Sequence, residues 1–219
     1  MNSGNSSNDL YDEVIALKRS RIIAVAVDLF YENGYEKTTL DAICHELGVT
    51  KPFIYSYFNS KLELLGEICS HGIRYAIKAM NTTITKDLSA TAKLTTFAHI
   101  FVAGILKKQK HIAIFSREEK NLNASDLQRI NKMRRDFDHK LIRLLKEGVR
   151  AKEFDVEDPR IAALAIGGLV SWTFVWYRPD GRLTEEQLSH TMVNLILKMV
   201  GAQSNNTGEL DYESVQKSV

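Results

Sequence analysis

The sequence predicts an all-α protein in which an N-terminal three-helix domain, a helix-turn-helix, precedes a larger helical bundle. Apolar residues recur at spacings of three and four along most of the chain, as they do on one face of a helix. Only 3 prolines and 12 glycines occur among the 219 residues, so long elements are not interrupted. Hydrophobic residues make up 44% of the chain, which is enough to build a core.

Capping residues locate the ends of several helices. Thr39 is a suitable N-cap for the second helix, and Gly48 is a suitable terminator. Thr50 is expected to cap the third helix, and Ser60 is expected to cap the fourth. Pro52 lies in the first turn of the third helix, where its missing N–H costs no hydrogen bond. The predicted helices span residues 11–33, 40–47, 51–58, 61–80, 92–108, 125–151, 159–177 and 184–200.

Turn residues and composition divide the rest of the chain. Turns are predicted near Asn81–Thr85, Lys110 and Asn121–Ser125, and no internal repeat or Pro/Gly-rich linker is present. The expected domains are a partly disordered N-terminal arm (1–17), the helix-turn-helix domain (18–65), the larger helical domain (66–201) and a disordered tail (202–219).

Composition argues against several classes of protein. Cys44 and Cys69 cannot form a disulfide framework, and each is interpreted as a small core residue, with a thiol sensor as the alternative. Residues 1–8 lack the apolar segment of a signal peptide, so a cytoplasmic location is expected. The histidines show no metal-ligand spacing, and no phosphate loop, nucleophile elbow or dinucleotide fingerprint occurs. No enzyme, metal site or cofactor is therefore predicted.

The third helix has the features of a surface that contacts DNA. No acidic residue occurs from Val49 to Leu62, although 26% of the chain is charged. Net charge gives weaker support: it is +2 for the chain, and residues 18–61 hold six basic and five acidic residues. The side chains expected to reach phosphates or base edges are Thr50, Lys51, Tyr55, Ser56, Tyr57 and Lys61. The alternative is a plain helical hairpin with aromatic core residues.

Residues Arg21–Leu65 resemble the N-terminal domain of the tetracycline-repressor (TetR) family. The resemblance lies in an apolar helix ending in Leu-Phe, then Asn-Gly-Tyr, Thr-Thr-Leu-Asp-Ala-Ile, Leu-Gly-Val-Thr-Lys and Ile-Tyr-Ser-Tyr-Phe-Asn-Ser-Lys-Leu-Glu-Leu-Leu, without a gap. It implies a regulator, usually a repressor, that binds a palindromic double-stranded operator as a homodimer. The other class that we considered is a helical interaction or scaffold protein without sequence-specific DNA binding.

The resemblance also implies roles for individual residues. Thr39 would contact a phosphate, together with the third-helix residues and Lys61. Pro52 stands where the family often has Gly or Ala, so this chain departs from the family at a position that contacts DNA.

The segment 161–177 is an uninterrupted apolar run closed by Arg160 and Arg178. A buried core helix and a membrane span are the alternatives, and the run of 17 residues is just short of spanning length, so no membrane is expected. Members of the TetR family dimerise through their last two long helices. The interface residues implied here are Ile166, Gly167, Val170, Leu188, Met192, Leu195 and Met199.

Aromatic residues in the larger domain are typical of a core, and the alternative is a ligand pocket between helices. Residues 169–184 look like those of family members that regulate fatty-acid, steroid or aromatic catabolism, which implies a small hydrophobic effector such as an acyl-CoA. The effector would displace helix 61–80 and separate the two DNA-binding domains. The predicted pocket residues are Phe97, Phe101, Phe115, Arg117, Arg134, Phe137, Trp172 and Trp176.

Overall fold

The structure, a computed structural model, describes residues 5–202, with side chains from Leu10 onward. The helices in this part of the chain are α1 (Asn5–Asn33), α2 (Leu40–Leu47), α3 (Lys51–Tyr55), α4 (Lys61–Ile84), α5 (Ala90–Lys107), α6 (Gln109–Glu118), α7 (Ala124–Arg150), α8 (Pro159–Ser171), α9 (Thr173–Trp176) and α10 (Glu185–Met199). A short 3-10 helix, Glu119–Asn121, precedes α7.

The described residues form two compact units. Unit 1 contains residues 5–69 and 113–127, and unit 2 contains residues 70–112 and 128–202. The assignment of 113–127 to unit 1 differs from the simple division at residue 65 that the sequence suggests. Because α4, α6 and α7 each cross a boundary, all three helices contribute residues to both units.

Unit 1 is organised around the inner face of α1. Ile22, Ala26 and Phe30 follow one another at four-residue spacing, and each is at most 1% exposed. The other buried apolar side chains of this unit are Val27, Ile43, Cys44, Ile54, Phe58, Leu64, Leu65, Ile68, Cys69, Ile114 and Phe115. Since burying one large apolar side chain contributes about 2 kcal/mol, this set is sufficient to hold the short helices α2 and α3 in place.

Unit 2 is centred on α5. Twelve of its 18 residues are buried, and it packs against α8, α9 and α10. The long helix α7 buries one stripe, which includes Phe137, Leu141 and Leu145, and exposes a highly charged face. The ends of α5, α7 and α10 lie within two residues of those predicted.

The N-terminus of α5 is capped by a residue distant in sequence. Carboxylate oxygens of Glu153 accept hydrogen bonds from the backbone N–H groups of Ala90 at 3.2 Å and Thr91 at 2.7 Å. Burial raises the pKa of Glu153, but these hydrogen bonds outweigh burial and lower the pKa below its usual value. The charged carboxylate therefore stabilises the positive end of α5.

The structure corrects three details of the predicted helices. The break predicted near Lys110 lies at Lys108, and the helix that follows it, α6, was not predicted. The turn at Asn81–Thr85 was placed too early, since α4 continues to Ile84 and the hydroxyls of Thr82 and Thr83 donate to carbonyls one turn back. The predicted helix 159–177 is broken at Trp172 into α8 and α9.

The two ends of the chain were also predicted as irregular. Helix α1 begins at Asn5, six residues before the predicted start, so most of the expected arm is helical. Residues 1–4 and 203–219, which include almost all of the expected tail, lie outside the part of the chain that the structure describes.

Both cysteines are buried and free in unit 1. Burial raises the pKa of the Cys69 thiol to about 12 and that of the Cys44 thiol above its usual value. Both thiols are therefore protonated at neutral pH, which makes them poor nucleophiles. This agrees with the interpretation of the two cysteines as core residues.

Candidate DNA-binding surface

The turn between α2 and α3 is fixed by Gly48. Thr39 caps α2 by accepting a hydrogen bond from the N–H of Ala42 at 3.1 Å, and Gly48 ends it in the left-handed region with φ of +67°. The N–H of Val49 then donates to the carbonyl of Cys44 at 3.0 Å. A residue with a side chain is strained at this φ, so glycine suits the tight turn that leads into α3.

Helix α3 is anchored on one side and open on the other. Ile54 and the following Phe58 are each 1% exposed, so they fix the helix to the core of unit 1. Tyr55 is 50% exposed, and Lys51 and Pro52 at the start of the helix are exposed as well. The structure therefore separates buried from exposed side chains here as expected, and the contact of the exposed ones with DNA stays a prediction.

The start of α3 differs from the prediction in one contact. Thr50 occupies the N-cap position, but its side chain makes no capping hydrogen bond. The ammonium of Lys51 lies 2.9 Å from Oδ2 of Asp41 on α2, and this hydrogen bond raises the pKa of Lys51. Because the pair lies in water at the surface, a phosphate group can replace the carboxylate at little cost.

Two of the predicted DNA-contact residues, Ser56 and Tyr57, also make contacts within unit 1. The hydroxyl of Ser56 donates to the carbonyl of Phe53 at 2.7 Å. The ring of Tyr57 packs against Phe53 with centroids 5.2 Å apart, and its side chain is half-buried. Ser56 is nevertheless exposed and Tyr57 half-buried, so both remain partly accessible just after α3.

Lys61 has a structural role that the sequence did not reveal. Its ammonium donates to the carbonyls of Tyr35 and Thr38, each at 2.9 Å, and to that of Glu36 at 3.5 Å. It also lies 4.2 Å from the centroid of the Tyr35 ring. These contacts fix the α1–α2 loop to the start of α4, and they occupy the three donors of the ammonium that the expected phosphate contact would need.

Arg19 on α1 is a positioning residue that the sequence analysis missed. Its guanidinium donates to the carbonyl of Tyr57, lies 4.2 Å from the centroid of the Phe58 ring, and is 3.9 Å from Oε1 of Glu67. It therefore fixes the segment that follows α3 and links that segment to α4 through Glu67. No local pattern signals this role, because the partners are about 40 residues away in sequence.

Residues of α6 complete unit 1. Arg117 donates to the carbonyl of Tyr31 at 2.9 Å and lies 5.0 Å from the centroid of its ring. The N–H of Tyr35 donates to Oε1 of Glu118 at 3.2 Å. Arg117 was predicted to bind a ligand, and Phe115 was predicted to line the pocket; both instead belong to unit 1, where Phe115 is buried.

The remaining predicted pocket residues do not come together as a group. Phe97, Phe101 and Phe137 form an aromatic cluster in unit 2, with centroids 5.2 to 5.9 Å apart. Trp172 and Trp176 are 62% and 47% exposed, so they do not line that cluster, and Arg134 lies at the surface of α7. Of the predicted pocket residues, three phenylalanines therefore lie together, and Arg134 lies one helical turn before Phe137 on α7.

The predicted dimer residues divide into two groups. Ile166, Val170, Leu188 and Met192 are at most 2% exposed and belong to the core of unit 2, so their prediction as interface residues was wrong. Leu195 and Met199 are exposed, and Gly167 is half-buried. The exposed apolar residues of α8 and α9 that the sequence analysis did not select for the interface are Ile161, Leu164, Trp172, Val175 and Trp176. Because this segment is apolar on all sides, periodicity could not show which face was exposed.

Comparison with known proteins agrees with this geometry. Residues 22–68 match the model of bacterial regulatory proteins of the tetR family, and residues 87–200 match the tetracyclin repressor-like C-terminal domain. The transcriptional repressor KstR2 of Rhodococcus jostii is 22% identical over 86% of this chain and 93% of its own length. The fatty acid metabolism regulator protein of Bacillus subtilis is 26% identical over 82% of this chain and 94% of its own.

The same fold occurs in the crystal structure of AibR in complex with isovaleryl coenzyme A and operator DNA. The TM-score is 0.70 at 22% identity, covering 81% of this chain and 97% of AibR. The C-terminal model alone spans more than half of the chain, and nothing in these matches supports a scaffold protein without DNA binding. The chain therefore belongs to the TetR family of non-enzymatic, DNA-binding transcriptional regulators.

Proposed function

We propose that this regulator binds a palindromic operator as a homodimer in the cytoplasm and is released from it by an acyl-CoA. The observation that carries the DNA-binding part is the α3 surface, where buried Ile54 and Phe58 hold Lys51 and Tyr55 exposed. A short rigid helix with an exposed, acid-free side fits the major groove, where side chains reach phosphates and base edges. Repression is the expected outcome, as in the relatives named repressors.

The contribution of Lys51 can be measured through salt. Lys51→Ala is expected to weaken binding to the operator by about tenfold and to reduce the slope of log affinity against log salt by about 1, because one phosphate contact is lost. Gel shifts with the DNA upstream of the regulator's own coding region, at several salt concentrations, give both values. Lys146→Ala, at an exposed position on α7, is the control and should change neither. An unchanged slope for Lys51→Ala would remove this residue from the interface.

The apolar surface of unit 2 supports the proposed homodimer. Helix α8 packs against both α9 and α10, and the segment from α8 to α10 leaves these apolar side chains exposed: Ile161, Leu164, Trp172, Val175, Trp176, Leu195 and Met199. In a protein that is not embedded in a membrane, an exposed apolar patch of this kind marks a protein–protein interface. Its tryptophan residues are of the type that contributes most to binding energy in such interfaces. By length and composition alone, Pro159–Trp176 would also suffice to cross a membrane.

Changing the centre of this patch is expected to separate the dimer. Trp172→Glu should convert the protein from dimer to monomer in sedimentation or light-scattering measurements, because a charge cannot be buried there without a partner. Trp172 is largely exposed in the single chain, so the variant should keep its helical circular dichroism spectrum. A monomeric wild-type protein that partitions into lipid vesicles would instead support the membrane alternative.

The effector part of the proposal is supported by the aromatic cluster and by relatives. Phe97, Phe101 and Phe137 provide the apolar surroundings that an acyl chain needs. Arg134 lies one turn before Phe137 on α7, where its guanidinium can pair with phosphates of coenzyme A. AibR was crystallised with an acyl-CoA, and the B. subtilis relative is named for fatty acid metabolism.

Release would follow from a two-state shift. We infer that the acyl-CoA binds more tightly to the state in which α4 is displaced, so that the DNA-binding heads of the dimer no longer match successive major grooves. Helices α4 and α6 are suited to this coupling because each contributes residues to both units.

The effector class can be tested by titration. Acyl-CoA thioesters of increasing chain length, free coenzyme A and free fatty acids are added while tryptophan fluorescence and operator binding are followed. Acyl-CoA should bind and release the operator, and Arg134→Ala should weaken acyl-CoA binding about tenfold while leaving fatty-acid binding unchanged. Arg135→Ala, at the neighbouring exposed position, is the control. Failure of every thioester to bind would contradict this part of the proposal but not the DNA-binding part.

A further inference from the structure

Helix α1 carries two apolar stripes on opposite sides. In its second half, Ile22, Ala26 and Phe30 face the core of unit 1. In its first half, Leu10, Val14 and Leu17 are 63%, 40% and 71% exposed. At about 100° per residue, the second group lies on the side of the helix opposite to the first.

The exposed stripe is not explained by the functions described above. The match to the family's DNA-binding domain begins at residue 22, so the stripe precedes it. It is also separate from the apolar face of α8 and α10, which belongs to unit 2. An ordered helix that exposes three apolar residues in a row on one side needs a partner.

The spacing of the stripe is that of a two-stranded coiled coil. Leu10, Val14 and Leu17 are separated by four and then three residues, which are the steps from d to a and from a to d in a heptad. Val14 then occupies position a, and both leucines occupy position d. In a parallel coiled coil, a β-branched residue at a with leucine at d favours two strands over three or four.

The charges beside the stripe favour the same arrangement. Glu13 occupies position g and Lys18 occupies position e of the next heptad, and both are exposed. In a parallel pair, position g of one helix faces position e of the following heptad on the other, so Glu13 meets Lys18 twice by symmetry. In an antiparallel pair, like positions face each other and this match is lost.

We propose that α1 pairs in parallel with α1 of a second copy of this chain through Leu10, Val14 and Leu17, with Glu13–Lys18 ion pairs on both sides. The seam covers only about one heptad, with three core positions, so the association is weak. The helix is already anchored by its second half, which reduces the ordering cost. Regulators held on neighbouring DNA sites pair more readily, since their effective concentration is higher. The pairing adds one association step to the dimer formed by unit 2.

Sedimentation velocity of the full chain without DNA, over a wide concentration range, tests this pairing. The wild type should show a concentration-dependent association step. The double change Leu10→Gln and Leu17→Gln should move the midpoint of that step to at least about tenfold higher concentration, because two buried contacts are lost. Both side chains are exposed in the single chain, so folding should be preserved. Ala16→Gln, on the same helix at position c and exposed, is the matched control and should leave the step unchanged.

Charge reversal separates the parallel pair from other arrangements. Glu13→Lys and Lys18→Glu should each weaken the step, because each places like charges opposite one another, and the two changes combined should restore it. The measured quantity is the midpoint concentration of the association step that these changes alter. This midpoint can be followed whether the associating species is a monomer or a unit 2 dimer, so the absence of the unit 2 dimer would not be mistaken for the absence of α1 pairing. The proposal is overturned if the wild type shows no such step, if the glutamine changes leave it unaltered, or if the charge swap fails to restore it. It is also overturned if the stripe proves to bind lipid vesicles or DNA instead.

Discussion

Lys61→Ala is expected to lower the free energy of unfolding of the DNA-binding head by about 2 kcal/mol, because three carbonyls of the α1–α2 loop lose a charged donor. The loss should be larger than for a surface lysine, since Lys61 is half-buried and covers the ring of Tyr35. The loop leads directly to Thr39, the cap of α2, so its displacement would also disturb the surface that carries α3.

Chemical denaturation of the full chain, compared with operator binding, measures this effect. Lys61→Met keeps the apolar stem and removes the ammonium, so it should show most of the loss in stability. Lys37→Ala, in the same loop but exposed, should cost less than about 0.5 kcal/mol. Where Lys61→Ala is still folded, its salt slope should equal that of the wild type. Wild-type stability together with a reduced salt slope would show that Lys61 binds phosphate after all.

Gly104→Ala is expected to destabilise unit 2 by about 3 kcal/mol. A Cβ at position 104 would lie 1.8 Å from Cε1 of Tyr75, so α4 and α5 cannot keep their present contact. The Tyr75 ring is half-buried between these helices, and its hydroxyl donates to the carbonyl of Ile100 at 3.4 Å. Because α4 also supplies residues to unit 1, the variant should alter effector-dependent release of DNA as well as stability.

Two further variants provide the controls for Gly104→Ala. At Gly72, also helical and in unit 2, the nearest atom to a new Cβ would be Cγ1 of Ile112 at an ordinary 3.7 Å. Gly72→Ala should therefore be neutral or stabilise the protein by up to about 1 kcal/mol. Adding Tyr75→Ala to Gly104→Ala should recover part of the lost stability, because the clash is removed. Equal melting curves for Gly104→Ala and the wild type would show that the two helices are less tightly packed than described.

Most of the fold could be predicted from the sequence, because nearby residues encode several of the helix ends. Thr39, Gly48 and Pro52 encode the ends of α2 and α3 locally, through capping, a positive φ and a missing N–H. Helix α6 was not predicted, although the break before it at Lys108 lies close to the turn expected near Lys110. The division of 159–177 into α8 and α9 was hidden by a run that is apolar on every side.

The site was predicted less completely, because several roles depend on contacts distant in sequence. Exposure of Tyr55 and Lys51 follows from helical spacing against Ile54 and Phe58. The role of Lys61 could not be foreseen, since the carbonyls that it binds are more than 20 residues away. The same reasoning applies to Arg117, whose charge suggested a ligand although its partner is the backbone of Tyr31.

The account depends most directly on two copies of α3 entering successive major grooves of one duplex. Hydroxyl-radical footprinting of the regulator on DNA upstream of its own coding region tests this claim. We expect protection of two inverted half-sites with centres about one helical turn apart, or a multiple of it, at a stoichiometry of a dimer or a pair of dimers. Uniform weak protection without a repeated half-site, or one half-site protected by a monomer, would contradict the account.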